Sequence, residues 1–396
     1  MEICERKSCV GCFACYNICP RHCIRMEPDE AGDIRPVVDE TKCIHCGSCR
    51  RVCFNNHELT FKNPIIVYAA WVKDPVKRNE SASGGIGTAL MEAVISMDGV
   101  AFGAANDDGT HVYHKMVDSL QNLKALKNSK YVHSFVEGTF RETRIALRQK
   151  KNVIYTGTPC QIAGLYGYLG NNPNNLVTVD LVCHGVPAQR SLKEHINHIV
   201  KEKKIDGKYT IFFRNNDKFG LTLTGSDGNI LYTGDCTEDL YMRTFMATET
   251  FRPSCYECKF AQPNRISDIT ICDFWGIKAT LDIENEKGKG ISCILVNTEK
   301  GRRLIDSIKD QLVMLERPLE EAVTGNTQLR HPSTFSKKAQ LIRKEILAGK
   351  SFDEAAYDAH KSEIRNETIK KAVKAFDGKL PVPVIVPLVR FLKGKK

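Results

Sequence analysis

The stretch from Cys9 to Cys53 decides how this 396-residue chain is organised. It contains one cysteine pattern twice, and the two copies read CVGCFACYNICP (9–20) and CIHCGSCRRVCF (43–54). Each copy has the spacing C-x2-C-x2-C-x3-C. In this spacing three sulfur atoms from one loop reach one iron–sulfur cluster, and the fourth cysteine binds the other cluster. The stretch therefore predicts two 4Fe–4S clusters.

The crossed pattern assigns four ligands to each cluster. The predicted ligands are Cys9, Cys12, Cys15 and Cys53 for the first cluster, and Cys43, Cys46, Cys49 and Cys19 for the second. Zinc would explain the number of cysteines but not the doubled spacing, and a disulfide framework would suit a secreted chain. Cys4 and Cys23 are left over, and we interpret them as ordinary thiols rather than as extra ligands.

Composition is that of a globular protein with two or three domains, since 42% of the residues are hydrophobic and 26% are charged. The N-terminus lacks the apolar region of a signal peptide, and no apolar run is long enough to span a bilayer. Seventeen cysteines without a secretory signal indicate a reducing, cytoplasmic location and a use in metal or redox chemistry.

The basic net charge of +10 is concentrated at the C-terminal end. Residues 331–396 contain 15 Lys and Arg against 7 Asp and Glu, so this region alone accounts for +8. No basic stripe interleaved with aromatic residues occurs in the rest of the chain, so nucleic acid is not an expected partner.

Three regions are predicted. Residues 1–62 form a ferredoxin-like domain that is separable from the rest, 63–330 form an α/β core, and 331–396 form a basic helical tail. The core is inferred from strands that end in loops opening helices, an arrangement whose ligands lie beyond the carboxyl ends of the strands. Alternating residues at 209–233 predict an inserted β-meander. Three prolines in 381–396 forbid a continuous helix there, and we expect a solvated tail or a weak contact with a membrane surface.

Several further elements are predicted from local signals. We expect strands at 100–105 and 112–117 joined across Asp107-Asp108-Gly109, and another turn at Asn215-Asn216. Helices are expected at about 135–150 and 300–312.

A turn of small residues precedes a predicted helix that runs to about Met97. Its members are Ser83, Gly84, Gly85, Gly87 and Thr88. Small residues at a helix start leave backbone N–H groups open to a phosphate, although a serine-capped helix without a ligand explains the same residues. The turn is not a dinucleotide fingerprint, because Leu90 occupies the position of the third glycine.

Four further cysteines suggest a third metal site: Cys160, Cys183, Cys255 and Cys258. One C-x2-C pair together with two cysteines at strand ends provides four sulfur ligands, which suit zinc and a 4Fe–4S cluster equally. Four unrelated buried thiols are the alternative, because free cysteine is common in protein cores.

Six motifs, in order along the chain, resemble the coenzyme F420 hydrogenase/dehydrogenase β-subunit family. They are Ser83-Gly84-Gly85-x-x-Thr88-Ala89-Leu90, Ser129-Lys130-Tyr131-Val132, Gly157-Thr158-Pro159-Cys160-Gln161, Cys183-His184-Gly185-Val186-Pro187, Arg252-Pro253-Ser254-Cys255-x-x-Cys258 and Ser267-Asp268-Ile269-Thr270-Ile271-x-Asp273-Phe274-Trp275-Gly276. Together with the ferredoxin-like domain they cover over three quarters of the chain. Within the family, the chain most resembles the bacterial stand-alone members that are often encoded near polysaccharide-biosynthesis enzymes.

The resemblance implies an FAD-binding core with a 4Fe–4S cluster beside the flavin. It assigns that cluster to Cys160, Cys183, Cys255 and Cys258, and the flavin pyrophosphate to the turn from Ser83 to Thr88. It also implies that the flavin ring lies among Ser129, Lys130, His184, Asp273 and Trp275. Cys272 departs from the glycine expected before Asp273.

The expected function is that of a cytoplasmic iron–sulfur flavoprotein oxidoreductase. A ferredoxin or flavodoxin type of protein would donate electrons, and a small organic substrate would accept them. Lys130, His184 and Asp273 are the candidate catalytic residues, with His184 or Lys130 as the proton donor. The first alternative is the electron-transfer subunit of a larger hydrogenase or dehydrogenase that uses coenzyme F420 or another carrier. The second alternative is a structural metal protein.

Overall fold

The computed structural model describes residues 1–106, 109–215, 218–278, 280–286 and 288–376. The predicted turn residues Asp107, Asp108 and Asn216 lie outside the described residues, as does the proline-rich segment 381–396.

The strands of the described residues form three sheets. In chain order they are β1 (Ile24–Pro28), β2 (Ile34–Val38), β3 (Ile66–Val72), β4 (Val100–Ala105), β5 (Tyr113–Val117), β6 (Val153–Gly157), β7 (Leu176–Leu181), β8 (Tyr209–Asn215), β9 (Lys218–Gly225), β10 (Ile230–Asp235), β11 (Ile269–Asp273), β12 (Ser292–Val296) and β13 (Leu312–Glu316). The largest sheet has eight strands in the order β13-β3-β12-β11-β7-β6-β4-β5 and forms the centre of the core.

The helices lie before, between and after these strands. In chain order they are α1 (Ala14–Ile18), α2 (Ser48–Arg51), α3 (Pro75–Asn79), α4 (Ile86–Ser96), α5 (Thr139–Arg148), α6 (Pro159–Leu169), α7 (Gln189–Lys203), α8 (Leu240–Met246), α9 (Pro253–Tyr256), α10 (Leu281–Glu284), α11 (Glu299–Ser307), α12 (Leu319–Gly325), α13 (Lys337–Leu347) and α14 (Phe352–Phe376). The chain is thus a mixed α/β protein, as the sequence predicts.

The direction of the strands places the sequence motifs along one edge of the eight-stranded sheet. Strands β4, β6, β7 and β11 are parallel, and β3 runs in the same direction because β12 pairs antiparallel with both β11 and β3. The segments that follow β3, β6, β7 and β11 therefore all begin at this carboxyl edge. Ligands of open α/β sheets bind at such an edge, so it is the expected location of a binding site.

Strands β8, β9 and β10 form a separate three-stranded antiparallel sheet, in the region where alternation predicts a β-meander. Its apolar face is buried against helix α7, with Phe213 and Leu223 in one cluster with Leu192 and Ile196. Full burial of each such side chain contributes roughly 1.5–3 kcal/mol to stability. The small sheet is thereby fixed beside the core.

The ferredoxin-like domain shares a hydrophobic core with the α/β region, although the sequence predicts a separable module. Phe13 and Val52 lie in one buried cluster with Phe140 and Tyr155. Helix α6 packs so closely on this domain that a Cβ on Gly167 would come within 2.3 Å of the Val52 carbonyl oxygen. A separable domain would expose this apolar surface to water. The shared core therefore fixes the position of the cysteine runs relative to the large sheet.

The described part of the C-terminal tail is helical and packs onto the rest of the chain through charged groups. Arg343 of α13 donates to Asp33 of the ferredoxin-like domain at 3.0 Å, and Asp353 of α14 binds His195 of α7 at 2.7 Å. No helix within the described residues has the length and apolar character that crossing a membrane requires.

Two predicted helices differ from the observed ones. Helix α5 begins at Thr139 rather than near 135, because the backbone of Phe135 pairs with Val112 and His114 as an extended segment. Helix α11 ends at Ser307, and the apolar run from 312 becomes the edge strand β13, paired with β3. In both cases tertiary pairing outweighs the local helical pattern.

Candidate metal centres and cofactor cleft

The first cysteine pocket lies between α1, β2 and the end of α2. It is lined by all four predicted ligands of the first cluster together with one further thiol, and its cysteines are Cys4, Cys9, Cys12, Cys15 and Cys53. Gly11 and Phe13 both adopt positive φ, which turns the loop so that its sulfur atoms converge. Burial raises the pKa of Cys12 well above its ordinary value, and neighbouring Cys15 raises it further. Thiolates gathered in such surroundings need positive charge, and iron supplies it.

The second cysteine pocket lies at the outer end of the ferredoxin-like domain. It is lined by the four predicted ligands of the second cluster and again by a fifth thiol, and its cysteines are Cys19, Cys23, Cys43, Cys46 and Cys49. Cys46 is exposed, whereas Cys19 and Cys49 are buried. This pocket therefore opens to solvent on one side.

A third group of cysteines converges at the carboxyl edge of the large sheet. A cavity of about 110 Å³ is lined by Cys160, Cys183, Cys255 and Cys258. Cys160 stands in the first turn of α6 directly after β6, Cys183 follows β7, and Cys255 lies in α9. The capping box between Thr158 and Gln161 fixes the start of α6.

The electrostatics of this cavity suit a metal centre. Burial raises the pKa of Cys160 to about 11, and Cys258 contributes to the rise. For Cys183 burial raises the pKa well above its ordinary value, and the other three cysteines add to this effect. Four mutually repelling sulfur ligands around one cavity fit a 4Fe–4S cluster or a zinc ion, as the ligand types predict.

Arg252 is a fully buried cation beside both the first pocket and the third cavity. Its Nη2 donates to the carbonyl oxygens of Ile34 (2.9 Å) and Cys9 (3.2 Å), and its Nη1 lies 4.0 Å from Asp33. It also lines the third cavity, and its Nε and Nη1 have no hydrogen-bond partner in the described protein. A buried guanidinium with unused donors is costly unless negative charge lies nearby, which anionic clusters would supply.

The first pocket and the third cavity share a wall. Val10, Phe54 and Asn55 line both of them. The sulfur of Cys12 is so close to helix α6 that a Cβ on Gly164 would approach it to 2.8 Å. On its other side the first pocket adjoins the second, since Cys15 and Cys53 lie in one buried cluster with Cys19 and Cys49. The three groups of cysteines therefore follow one another from the exposed second pocket to the sheet edge.

The predicted phosphate turn lies at the same edge, between β3 and α4. Gly84 touches the end of β3, where a Cβ would come within 2.4 Å of the Ala70 carbonyl oxygen, and its N–H donates to Ser292 Oγ at 2.9 Å. Gly85 has φ +81° and is the N-cap of α4. The first N–H groups of a helix have no partner within it, so they remain available to an anion.

Ser83 gives the turn an additional polar group. Its hydroxyl is buried and has no hydrogen-bond partner in the described protein. Buried hydroxyls are nearly always hydrogen-bonded, so this orphaned group fits a ligand oxygen. The turn thus fits the pyrophosphate that the resemblance assigns to it.

Several residues that are predicted to lie near the flavin ring surround an ion pair between Asp273 and Arg214. The sequence motifs do not predict this ion pair. Asp273, at the end of β11, accepts two hydrogen bonds from Arg214 Nη1 at 3.0 and 3.2 Å. Burial raises the pKa of Tyr131 to about 12, and the nearby Arg214 and Ser129 partly oppose this rise. Arg214 comes from β8, so the small sheet closes this part of the edge.

His184 and Trp275 lie beside this ion pair. Burial lowers the pKa of His184, and the nearby Asp273 partly opposes the shift. Trp275 is 43% exposed, with its ring 5.9 Å from Phe219. An exposed aromatic ring at a sheet edge provides a surface on which a planar ligand can stack.

Lys130 has a different setting from the other predicted catalytic residues. Its ammonium donates to the carbonyl oxygens of Lys127 (2.6 Å) and Ala125 (3.2 Å) within its own loop. Its charge also contributes to lowering the pKa of His114, which burial brings to about 4. The structure thus brings Ser129, His184, Asp273 and Trp275 to one edge and ties the Lys130 amine to the loop backbone.

Arg214 and Arg252 are the main residues that sequence reasoning missed. Arg214 lies in an alternating strand and has no local signal, because its partner Asp273 is distant in the chain. Arg252 directly precedes Pro253 and the C-x2-C pair. A cation beside paired cysteines is a usable signal for charge compensation at a metal centre.

Comparisons with known proteins match two parts of the chain. Residues 150–322 match the family described as the C terminus of the coenzyme F420 hydrogenase/dehydrogenase beta subunit. Residues 8–56 match the family described as 4Fe-4S dicluster domain. No curated protein matches the chain in sequence.

One similar solved structure comes from a study of xenon derivatization of the F420-reducing NiFe hydrogenase complex from Methanosarcina barkeri. The two chains are 16% identical, the alignment covers 80% of this chain and 95% of that one, and the TM-score is 0.47. The two family matches bear out the resemblance carried by the motifs and by the doubled cysteine runs. Residues 150–322 of this chain therefore carry the C-terminal domain of the coenzyme F420 hydrogenase/dehydrogenase β-subunit family, and a 4Fe–4S dicluster domain precedes it.

Proposed function

We propose that this chain is an iron–sulfur flavoprotein oxidoreductase, which accepts electrons from a ferredoxin or flavodoxin type of protein and reduces a small organic substrate. One observation carries the proposal. The three groups of four cysteines adjoin one another and lead from the exposed Cys46 to the sheet edge where the turn from Ser83 to Thr88 lies. Such an arrangement supports transfer of single electrons inward, and membership of an oxidoreductase family agrees with it.

Each group of residues has a proposed part. The dicluster cysteines hold two 4Fe–4S clusters, and Cys160, Cys183, Cys255 and Cys258 hold a third. The turn from Ser83 to Thr88 holds the pyrophosphate of FAD, which when bound converts single electrons into a two-electron reduction. The protein supplies the positions of these groups and the charges around them.

The residues at the sheet edge orient the reacting groups. The Arg214 guanidinium holds the Asp273 carboxylate in a fixed position, and the Tyr131 hydroxyl lies beside this ion pair. Trp275 provides a stacking surface for the ring. His184 or Lys130 supplies the proton that accompanies reduction of the substrate, and His184 also lines the cavity of the third group.

Metal and flavin analysis of the anaerobically purified chain tests the proposal. Three clusters require about twelve iron atoms and as much acid-labile sulfide per chain, with one FAD. Cys255→Ser should remove about four iron atoms, whereas Cys236→Ser, a matched change outside the three groups, should remove none. Iron that stays near eight atoms in both variants and in the parent would overturn the third cluster, and zinc in its place would favour a structural site.

The matched family favours a second candidate. Its description names a beta subunit, so the chain can instead be the electron-transfer subunit of a larger hydrogenase or dehydrogenase that uses coenzyme F420 or another carrier. Purification under native conditions separates the two. A stable stoichiometric complex with a larger catalytic chain supports the subunit, whereas turnover of an organic substrate by the isolated chain supports the stand-alone enzyme.

A further inference from the structure

Each N-terminal cysteine pocket contains five thiols, although a 4Fe–4S cluster needs four. The fifth is Cys4 in the first pocket and Cys23 in the second. Their sequence positions suggest ordinary thiols, but the structure places each of them on the wall of a predicted cluster site. Cys23 is only 4% exposed, so it faces the pocket rather than solvent.

The two extra thiols occupy equivalent positions relative to the predicted ligands. Cys23 Sγ lies 3.3 Å from the sulfur of Cys19, and Cys43 lines the same pocket. In the first pocket Cys4 packs in one cluster with Cys53, and Cys9 lines the same pocket. In each case the neighbours include the crossed ligand, which comes from the other cysteine run, and the first cysteine of the local run.

This equivalence does not come from the repeated sequence. Cys4 precedes the first run, whereas Cys23 follows the end of that run. The position that matches Cys23 in the second run is His57, and the position that matches Cys4 is Val38. Two unrelated positions thus bring a thiol to the same place in both pockets. A thiol that only fills space has no reason to recur beside the crossed ligand.

We propose that Cys23 and Cys4 are reserve ligands, which replace Cys19 and Cys53 respectively on the iron atoms of the two N-terminal clusters. In the exchange one iron–sulfur bond to the crossed ligand breaks and one to the reserve thiol forms. The incoming thiol loses its proton and the departing thiolate gains one, so no electron is gained or lost. The cluster keeps four thiolate ligands when its crossed ligand is modified or displaced.

Alanine variants of the full chain, purified anaerobically, test the exchange in the second pocket. Cys19→Ala and Cys23→Ala should each keep the iron and acid-labile sulfide of the parent, and the double variant should lose about four iron atoms. Cys46→Ala is the control, since its sulfur has the Ser48 hydroxyl at 3.4 Å as its neighbour, and it should lose about four iron atoms by itself. Electron paramagnetic resonance of the reduced proteins counts the remaining clusters independently.

Two results would overturn the proposal. One is Cys19→Ala losing as much iron as the double variant, and the other is the double variant keeping all of it. If Cys19→Ala does not fold, Cys23→Ala still provides a test, because it keeps all four predicted ligands of the second cluster. Cys23→Ala should then lose its second cluster in air several-fold faster than the parent, and equal rates would contradict the reserve role. The matching series of Cys53→Ala and Cys4→Ala tests the first pocket.

The inference depends on the dicluster domain and not on the flavin or the third cluster. Iron and FAD of the parent chain are measured in the same preparations. A parent with about eight iron atoms and no FAD would defeat the proposed function and leave the reserve ligands standing. If the parent contains about twelve iron atoms and FAD but Cys19→Ala loses its second cluster, the proposed function stands and the reserve role of Cys23 is overturned.

Discussion

At the scale of single residues, the backbone at Gly85 links the phosphate turn to the fold. Its φ of +81° is unfavourable for other residues, and a Cβ would lie 3.0 Å from Val72 Cγ2. We expect Gly85→Val to release FAD while the N-terminal clusters remain, because a side chain there displaces the turn from β3. Flavin fluorescence of the denatured protein and iron analysis measure the two effects.

Gly228 provides a matched control for that substitution. It has nearly the same φ, +82°, but a Cβ would meet nothing within 4 Å. Gly228→Val therefore carries a similar backbone strain, about 1–3 kcal/mol, at a turn between β9 and β10. If Gly228→Val loses as much FAD as Gly85→Val, general destabilisation explains the loss and the turn has no specific role.

The charge of Arg252 should affect the reduction potentials of the clusters beside it. A cation beside a cluster stabilises the reduced form, which is the more negative one. We expect Arg252→Met to lower the reduction potentials of the first cluster and of the proposed third cluster. At an effective dielectric constant near 20 the effect is on the order of 1 kcal/mol, or roughly 40 mV. A redox titration followed by electron paramagnetic resonance measures it.

The protein should still fold with Arg252→Met, because the buried Asp33 carboxylate keeps two other cationic partners. Arg343 lies 3.0 Å from its carboxylate and Arg35 lies 3.8 Å away. Arg252→Lys retains the charge and should shift the potentials less than Arg252→Met does. Equal shifts in both variants would show that packing, and not charge, controls the potential.

At the scale of secondary-structure elements, α14 is joined to the core by a buried histidine. His195 of α7 lies between Asp353 of α14 at 2.7 Å and Asp239 before α8 at 2.9 Å. Burial alone would lower the pKa of His195, but the two carboxylates outweigh it and raise the pKa to about 9. The raised pKa makes the attachment of α14 depend on pH.

This element supports a prediction about stability in alkali. Because the folded-state pKa is above the ordinary value near 6.5, the stabilisation is complete below that pH and is lost as the pH rises through about 9. It amounts to on the order of 3 kcal/mol. The difference in melting temperature between the parent and His195→Gln should therefore shrink between pH 6.5 and 9. His198→Gln, on the exposed face of α7, should leave the profile unchanged, and an unchanged difference for His195→Gln would contradict the prediction.

The sequence predicts elements well where local and tertiary signals agree. Strand β6 and helix α6 follow from an apolar run, the turn and Pro159, since each signal is local. Strand β13 is not predicted because its apolar run also suits a helix, and only pairing with β3 decides between them. The predicted ligand sets follow from spacing, but the positions of Arg214, Cys4 and Cys23 depend on contacts between distant segments that spacing does not encode.

At the scale of the whole molecule, the arrangement indicates which end receives electrons. The second pocket opens to solvent at Cys46, and both basic and acidic side chains lie around it. Arg51 donates to the Cys46 carbonyl oxygen at 2.9 Å, Arg21 lines the pocket, and Lys42 is paired with Asp39 at 3.4 Å, with Glu40 beside Cys43. The small excess of basic side chains favours an acidic protein donor, because complementary charges steer association. The shared core of Phe13 and Phe140 holds this entry point at a fixed distance from the sheet edge.

We therefore predict that a reduced ferredoxin or flavodoxin, and not NADH or NADPH, drives turnover. The chain contains no G-x-G-x-x-G, so the usual nicotinamide-dinucleotide site has no support in the sequence. Cys12→Ala should abolish ferredoxin-driven reduction of the flavin, because Cys12 lies in the pocket between the exposed cysteines and the third group. Cys236→Ala should leave it intact, and added salt should slow it in the parent. Stopped-flow absorbance measures all of these rates. If NADPH bleaches the flavin rapidly while reduced ferredoxin does not, and Cys12→Ala makes no difference, electrons enter at the flavin directly and the cysteine pockets are not their route.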